Sequence, residues 1–225
     1  MPLPRVPGLG GWGDDPLWAA FYDWTVEHPR VGRPVWWAGM QSDLRLLYAA
    51  ADEIGRQPRG SRILDVPCGG GVALRGLRRD QGVEYVAADI SQTMLDRTME
   101  AARERHVADQ VTPVLADVAD LPLDEGDVDL VVTFTGLHCF PDPEAAVTEL
   151  ARVLRVDGVI TGSTLLNDSL RYEPLRRVGR LAGLLGPGCT SDDIVLWLTR
   201  AGVADVTLEI SGAIGYFRGV KRGSA

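Results

Sequence analysis

The sequence predicts an α/β fold: a doubly wound, mostly parallel seven-stranded sheet with an antiparallel strand at its C-terminal end. Three observations carry that prediction. From Arg62 onward, short apolar runs rich in Val and Ile (RILDV, VEYVAA, VTPVLA, VDLVVTF, VITGSTLL) alternate with helical patterns, the order in which crossover helices join parallel strands. These runs are apolar throughout, as strands covered by helices on both faces should be. The last two runs, VADVTLEIS and AIGYFRGVKR, meet at a tight Gly212-Ala213 connection that fits a hairpin and sets one strand antiparallel to its neighbour.

A chain of 225 residues, 45% hydrophobic and 24% charged, is long enough to bury one sizeable α/β core. It divides into an N-terminal arm with aromatic-rich cover helices (1–57), a ligand-binding core (58–167), an insertion read as a lid (168–189), and a final helix with a β-hairpin (190–225). Residues 1–16, broken by Pro and Gly, read as a poorly ordered arm. Five of the six tryptophans, Trp12, Trp18, Trp24, Trp36 and Trp37, cluster before residue 38. Leu44, Leu47, Tyr48 and Ala51 recur at three- and four-residue spacing and predict a helix over about 37–54, ending before Gly55 and Pro58. Crossover helices are expected at 71–80, 91–106 and 143–154, the last with Pro143 in its first turn. A helix over 191–201 is expected to be capped by Ser191 and ended by Gly202.

The formal net charge of -8, from 31 acidic against 23 basic residues, argues against a nucleic-acid partner, whose phosphates it would repel. Cys68, Cys139 and Cys189 lack the spacing of a zinc site or redox pair, so they read as reduced thiols and no metal is expected. No secretory or membrane-spanning apolar run is visible, and together with the thiols this gives a cytoplasmic location as the expectation.

The chemistry concentrates at three strand ends. The first strand ends in Asp65 and leads through Pro67, Cys68, Gly69, Gly70 and Gly71, a loop whose backbone can approach a ligand closely and point amides at it. Asp89 closes the second strand 18 residues after Gly71, where a carboxylate can accept both hydroxyl hydrogens of a ribose. Asp117, closing the third strand beside Val118, is placed to accept from an exocyclic adenine amine. Taken singly, the glycines fit a tight turn and the aspartates fit caps. Their joint placement at successive strand ends, where open parallel sheets bind ligands, points to a nucleoside-bearing cofactor. A dinucleotide fingerprint fails because Leu74 stands where its third glycine belongs, and no phosphate-binding P-loop motif occurs. A charged Asp65 also suits a cationic amino group better than a pyrophosphate.

ILDVPCGGG, VAADISQTML, LADVADLPL and VDLVVTFTGLHCFPDPEAAVTELARVLRVDG resemble the successive motifs of the Rossmann-like class I methyltransferases, in particular the branch of the ubiquinone and menaquinone biosynthesis C-methyltransferases (methyltransferase type 11). The resemblance covers about residues 62–165. It implies S-adenosyl-L-methionine as cofactor, with Gly69 and Gly71 against its methionine part, Asp65 near its amino group and Asp89 on the ribose. It further implies Ile90 and Met94 flanking the adenine, Asp117 and Val118 at its edge, and Thr133 and Phe134 lining the site. Two departures stand out: Pro67 replaces the family's usual first glycine, and Val156-Asp157-Gly158 replaces the usual Lys-Pro-Gly-Gly. Pro67 has no amide hydrogen, so it shapes the loop rather than binding through it.

Methyl transfer is an in-line displacement that rests mainly on positioning and exclusion of water. His138, in TGLHCF, is the candidate general base, its alternative being a neutral histidine hydrogen-bonded within its loop. Tyr22, Trp36 and Trp37 are candidate walls for a flat or apolar acceptor, or else core packing. The lid carries Arg171, Arg176, Arg177 and Arg180, a face that could touch a membrane surface or an anionic acceptor, or simply be solvated. The expected activity is methylation of a small apolar or aromatic metabolite at carbon or oxygen. The alternative is a catalytically inactive S-adenosylmethionine-binding protein acting as a sensor or partner subunit.

Overall fold

A computed structural model describes residues 29–223 except 169 and 182. The chain runs through α1 (Pro29–Met40), α2 (Leu44–Arg56), β1 (Arg62–Asp65), β2 (Glu84–Asp89), α3 (Gln92–Glu104), β3 (Val111–Leu115), β4 (Val128–Phe134), α4 (Pro143–Val153) and β5 (Leu154–Leu165). It continues through α5 (Glu173–Leu181), α6 (Ser191–Arg200), β6 (Val203–Ser211) and β7 (Ile214–Lys221). Among the described residues these strands form one seven-stranded sheet in the order β3-β2-β1-β4-β5-β7-β6. Strands β1 to β5 are parallel, whereas β7 runs antiparallel to both β5 and β6.

Each central strand is buried on both sides, which is why the runs are continuously apolar. Ile63, Tyr85 and Leu130 face one core layer with Leu44, Leu47, Ala51 and Ile54 of α2 and Leu95 of α3. Their neighbours Leu64, Val86 and Val131 face the other, with Val147 and Leu150 of α4 and Ile194 and Leu198 of α6. Each fully buried Leu or Ile contributes roughly 1.5–3 kcal/mol. The chain winds from β1 outward to β2 and β3, then crosses back to β4 and β5. The sheet order therefore reverses between β1 and β4, and the crevice for a ligand opens at their carboxyl ends.

Four local expectations are corrected. The helix read over 37–54 is two helices: Gln41 adopts φ 53° and Asp43 caps α2, its side chain accepting from the Arg45 amide. Tertiary contact decides that break, because the hairpin turn docks there. Ala213 N–H donates to Met40 O, and a Cβ on Gly212 would lie 2.2 Å from the same oxygen. The second of these helices also runs past Gly55 to Arg56. The helix expected over 71–80 is only a 3₁₀ turn, Val72–Gly76, since Gly76 packs directly on the backbone of Ala51 and leaves no room for a longer cylinder. Finally, Thr190 rather than Ser191 caps α6, in a reciprocal box with Asp193.

Candidate active site

Asp65 ends β1, and the loop after it is held from three directions. The Val66 amide donates to Val132 O on β4, the Cys68 amide to Ala88 O on β2, and the Gly69 amide to Asp89 Oδ2 at 3.0 Å. From α3, the Thr98 hydroxyl donates to Gly69 O at 2.7 Å. The glycines differ in purpose. Gly71, at φ 85°, packs so closely on α3 that a Cβ would touch Leu74, Ala101 and Thr98, whereas a Cβ on Gly69, at φ 52°, would meet no protein atom within 4 Å. Gly71 serves the fold, and Gly69 faces open space. A Cβ on Gly136 would approach the Pro67 ring to 2.5 Å, so the loops after β1 and β4 meet with no side chain between them.

Asp89 is 6% exposed, and its carboxylate is shared between two backbone donors, Gly69 N–H on Oδ2 and Ser91 N–H on Oδ1 at 2.9 Å. The Ile90 amide also stabilises this charge, and a carboxylate's acceptor capacity of about four positions still leaves room for a ligand. Burial pushes its pKa up while the backbone amides pull it down. Asp65 is 1% exposed, and burial lifts its pKa to about 7, against a hydrogen bond from the Tyr85 hydroxyl at 2.7 Å that favours the ionised form.

Beside Asp89, Ile90 stands 73% exposed, an apolar side chain left in water at the mouth of the crevice. Met94, one turn into α3, is buried. The Ala116 amide donates to Asp89 O and brings the next residues alongside; of these Val118 is buried and Asp117 exposed, its carboxylate accepting from Ala119 N–H. Thr133 and Phe134 at the end of β4 are buried, and the Thr133 hydroxyl has no hydrogen-bond partner in the structure. A buried hydroxyl in that state costs roughly 1–3 kcal/mol, a cost a bound polar group removes.

His138 does not fit the part of general base. Its Nδ1 accepts from the Leu165 backbone amide at 3.1 Å and lies 3.0 Å from the Thr164 hydroxyl. A backbone N–H can only donate, so Nδ1 carries the lone pair and the neutral ring carries its proton on Nε2. Desolvation lowers the pKa to about 4, which keeps the ring neutral. Nε2–H is thus a hydrogen-bond donor.

Of the candidate aromatic walls, Tyr22 lies outside the described residues, as do Trp12, Trp18, Phe21 and Trp24. Trp36 is buried in the core near Tyr216, whereas the next residue of the same helix, Trp37, is 61% exposed. The lid is α5 with the 3₁₀ turn Leu170–Tyr172 before it, and its arginines serve mainly the lid itself. Arg176 is 2% exposed and donates to Leu166 O and Glu173; Arg180 pairs with Glu173, and Arg171 donates to Gln41 at the end of α1. These contacts engage Arg176 and Arg180, whereas Arg177 is exposed on the same helix. Gly186 N–H donates to His138 O, which seats the far end of the lid against the β4 loop. Sequence reasoning missed Tyr85 and Thr98; the signal for the first was a lone phenol in an otherwise aliphatic strand.

A family model described as a methyltransferase domain (Methyltransf_11) matches residues 64–161, which span every strand end described above. "Uncharacterized methyltransferase At2g41040, chloroplastic" of Arabidopsis thaliana is 34% identical over 167 residues, 71% of this chain and 44% of its own length. Over residues 64–161 the chain is similar to the class I methyltransferases. A second relative, the malonyl-[acyl-carrier protein] O-methyltransferase of Enterobacter lignolyticus, is 38% identical over 112 residues, 50% of this chain and 42% of its own length. The chain therefore spans less than half the length of these methyltransferases. The geranyl diphosphate C-methyltransferase of Streptomyces coelicolor, solved with S-adenosyl-L-homocysteine, superposes with a TM-score of 0.64 at 15% identity, over 80% of this chain and 81% of its own, a likeness of fold. The cofactor of the family is S-adenosyl-L-methionine. The cytoplasmic location expected from composition is overturned: the Arabidopsis methyltransferase is named a chloroplastic protein. Three unpaired cysteines do not identify a compartment. Among the described residues no helix is long and apolar enough to cross a membrane.

Proposed function

We propose that this chain transfers a methyl group from S-adenosyl-L-methionine to carbon or oxygen of a small, apolar or aromatic acceptor. The observation that carries the reading is Asp89: a carboxylate at the end of β2 that staples the glycine loop to α3 and keeps acceptor positions for a ribose. The residues present fit the cofactor. Gly69 offers open space where a Cβ would stand, the exposed Ile90 offers an apolar surface for a base, and the Thr133 hydroxyl lacks a partner. Asp117 and Val118 take the adenine edge, Ile90 and Met94 its flanks, Phe134 and Gly69 support the methionine side, and Asp65 faces the amino group, with Pro67 shaping the loop between them.

When bound, the cofactor supplies a methyl group on a positively charged sulfur. The chain's own part is to orient the partners and keep water out. His138, a neutral Nε2–H donor, orients the acceptor without taking its proton. Without a base at His138, an oxygen nucleophile is one already ionised in solution, as in a carboxylate, or one whose proton passes to water as the methyl group arrives. This replaces the base role. Incubation with methyl-labelled cofactor and a metabolite extract should yield a labelled small molecule. Cofactor binding by calorimetry with no labelled product from any extract would instead favour a binding protein without turnover.

A further inference from the structure

The buried carboxyl of Asp65 has an unusual support. Its Oδ2 accepts from Tyr85, a fully buried phenol at the second position of β2, opposite Ile63. Residues two apart on a strand share a face, so Ile63 and Asp65 on β1 and Tyr85, Ala87 and Asp89 on β2 all look toward the α2 and α3 layer. The phenol lies along that face, and its hydroxyl reaches the strand end. Burying a hydroxyl among Ala51, Ile54 and Leu74 is costly unless it is hydrogen-bonded, and phenylalanine would fill the same space without that cost.

Among the described residues, the groups facing Asp65 lack a cation. Tyr85 and Asp89 approach from β2 and Cys68 from the loop, all acids or weak acids. Strand β4 offers Val132 in register, α3 offers Thr98, and α2 offers Ala51 and Ile54, none of them titratable. An ammonium arriving at this end of β1 would be the one positive charge against that cluster.

We infer that Tyr85 is a positioning residue: its hydroxyl holds Asp65 as an acceptor for the ligand's α-amino group at the end of β1. This rests on the cofactor reading above. The test is calorimetric titration of the full chain with S-adenosylhomocysteine, which has the amino group, and 5′-methylthioadenosine, which does not, between pH 6 and 8.5. For the unsubstituted chain, S-adenosylhomocysteine affinity should rise roughly tenfold from pH 6 to 8 as Asp65 ionises, with methylthioadenosine flat. In Tyr85→Phe the rise should move to higher pH, leaving S-adenosylhomocysteine about tenfold weaker at pH 7 and nearly restored at pH 8.5, with methylthioadenosine unchanged.

Equal weakening of both ligands at every pH, or an unshifted pH profile, overturns the inference. Should Tyr85→Phe fail to fold, Asp65→Asn answers the same question: its S-adenosylhomocysteine affinity should no longer depend on pH, and a persisting dependence overturns the inference. If the unsubstituted chain binds neither ligand, the cofactor reading itself fails and this inference falls with it. Binding of both ligands with identical pH profiles removes the inference alone.

Discussion

Replacing Asp65 with Asn should stabilise the ligand-free protein while weakening its site. In the folded chain the carboxyl is 1% exposed and its pKa is raised to about 7, whereas in the unfolded chain it returns to the ordinary value of 3.8. Below about pH 4 both states hold the proton, and substitution changes little. Between pH 4 and 7 the unfolded chain releases the proton and the folded chain keeps it, so the unsubstituted protein loses stability as pH rises; above 7 the gap is constant. Three pKa units at about 1.4 kcal/mol each set a ceiling of about 4 kcal/mol, and local relaxation reduces it. The Asn side chain keeps an oxygen for the Tyr85 hydroxyl, so that bond survives. His138 acts in the opposite sense: lowered to about 4, it removes stability as pH falls below 6.5, which is why the variant must be compared with the parent at each pH. Urea unfolding at pH 4, 5.5 and 8 measures the gap. A gap equal at all three values, or one that favours the parent at pH 8, refutes the argument.

The remaining predictions concern the loop and its neighbours. Asp89→Asn removes the charge but keeps one acceptor, and should weaken S-adenosylhomocysteine binding by roughly 1–3 kcal/mol. Loss of stability with unchanged affinity would reduce Asp89 to a loop staple. Gly69→Ala should cost the fold only about 1 kcal/mol for its left-handed backbone but sharply weaken cofactor binding, whereas Gly71→Ala should destabilise the protein by more than that because its methyl group meets α3. Comparing melting and titration data for the two variants checks this, and identical behaviour would contradict it. Nitrogen-15 shifts of the His138 ring should show an unchanging Nε2–H tautomer from pH 5.5 to 8; a titration centred near 6.5 would restore the case for a base.

How much was legible in the sequence depended on how local the cause was. The glycine loop, Asp65, Asp89 and the hairpin at Gly212 were readable because each follows a strand end, where backbone geometry is set by neighbouring residues. The break at Gln41, the shortened turn at Val72–Gly76 and the cap at Thr190 were not, since the first two are imposed by backbone from distant elements and the third by a choice between adjacent hydroxyls. The lid arginines looked like an open basic face because spacing shows where side chains project but not which carbonyls lie beneath them.

By itself the sequence determined the strand–helix alternation and the acidic and glycine residues at successive strand ends, because hydrophobic period and chain order suffice for those. The tertiary structure alone decided the protonation chemistry. Whether Asp65 holds a proton, which nitrogen of His138 carries one, and what Tyr85 is for all depend on burial and on hydrogen-bond partners from other strands, quantities that exist only once the sheet is assembled.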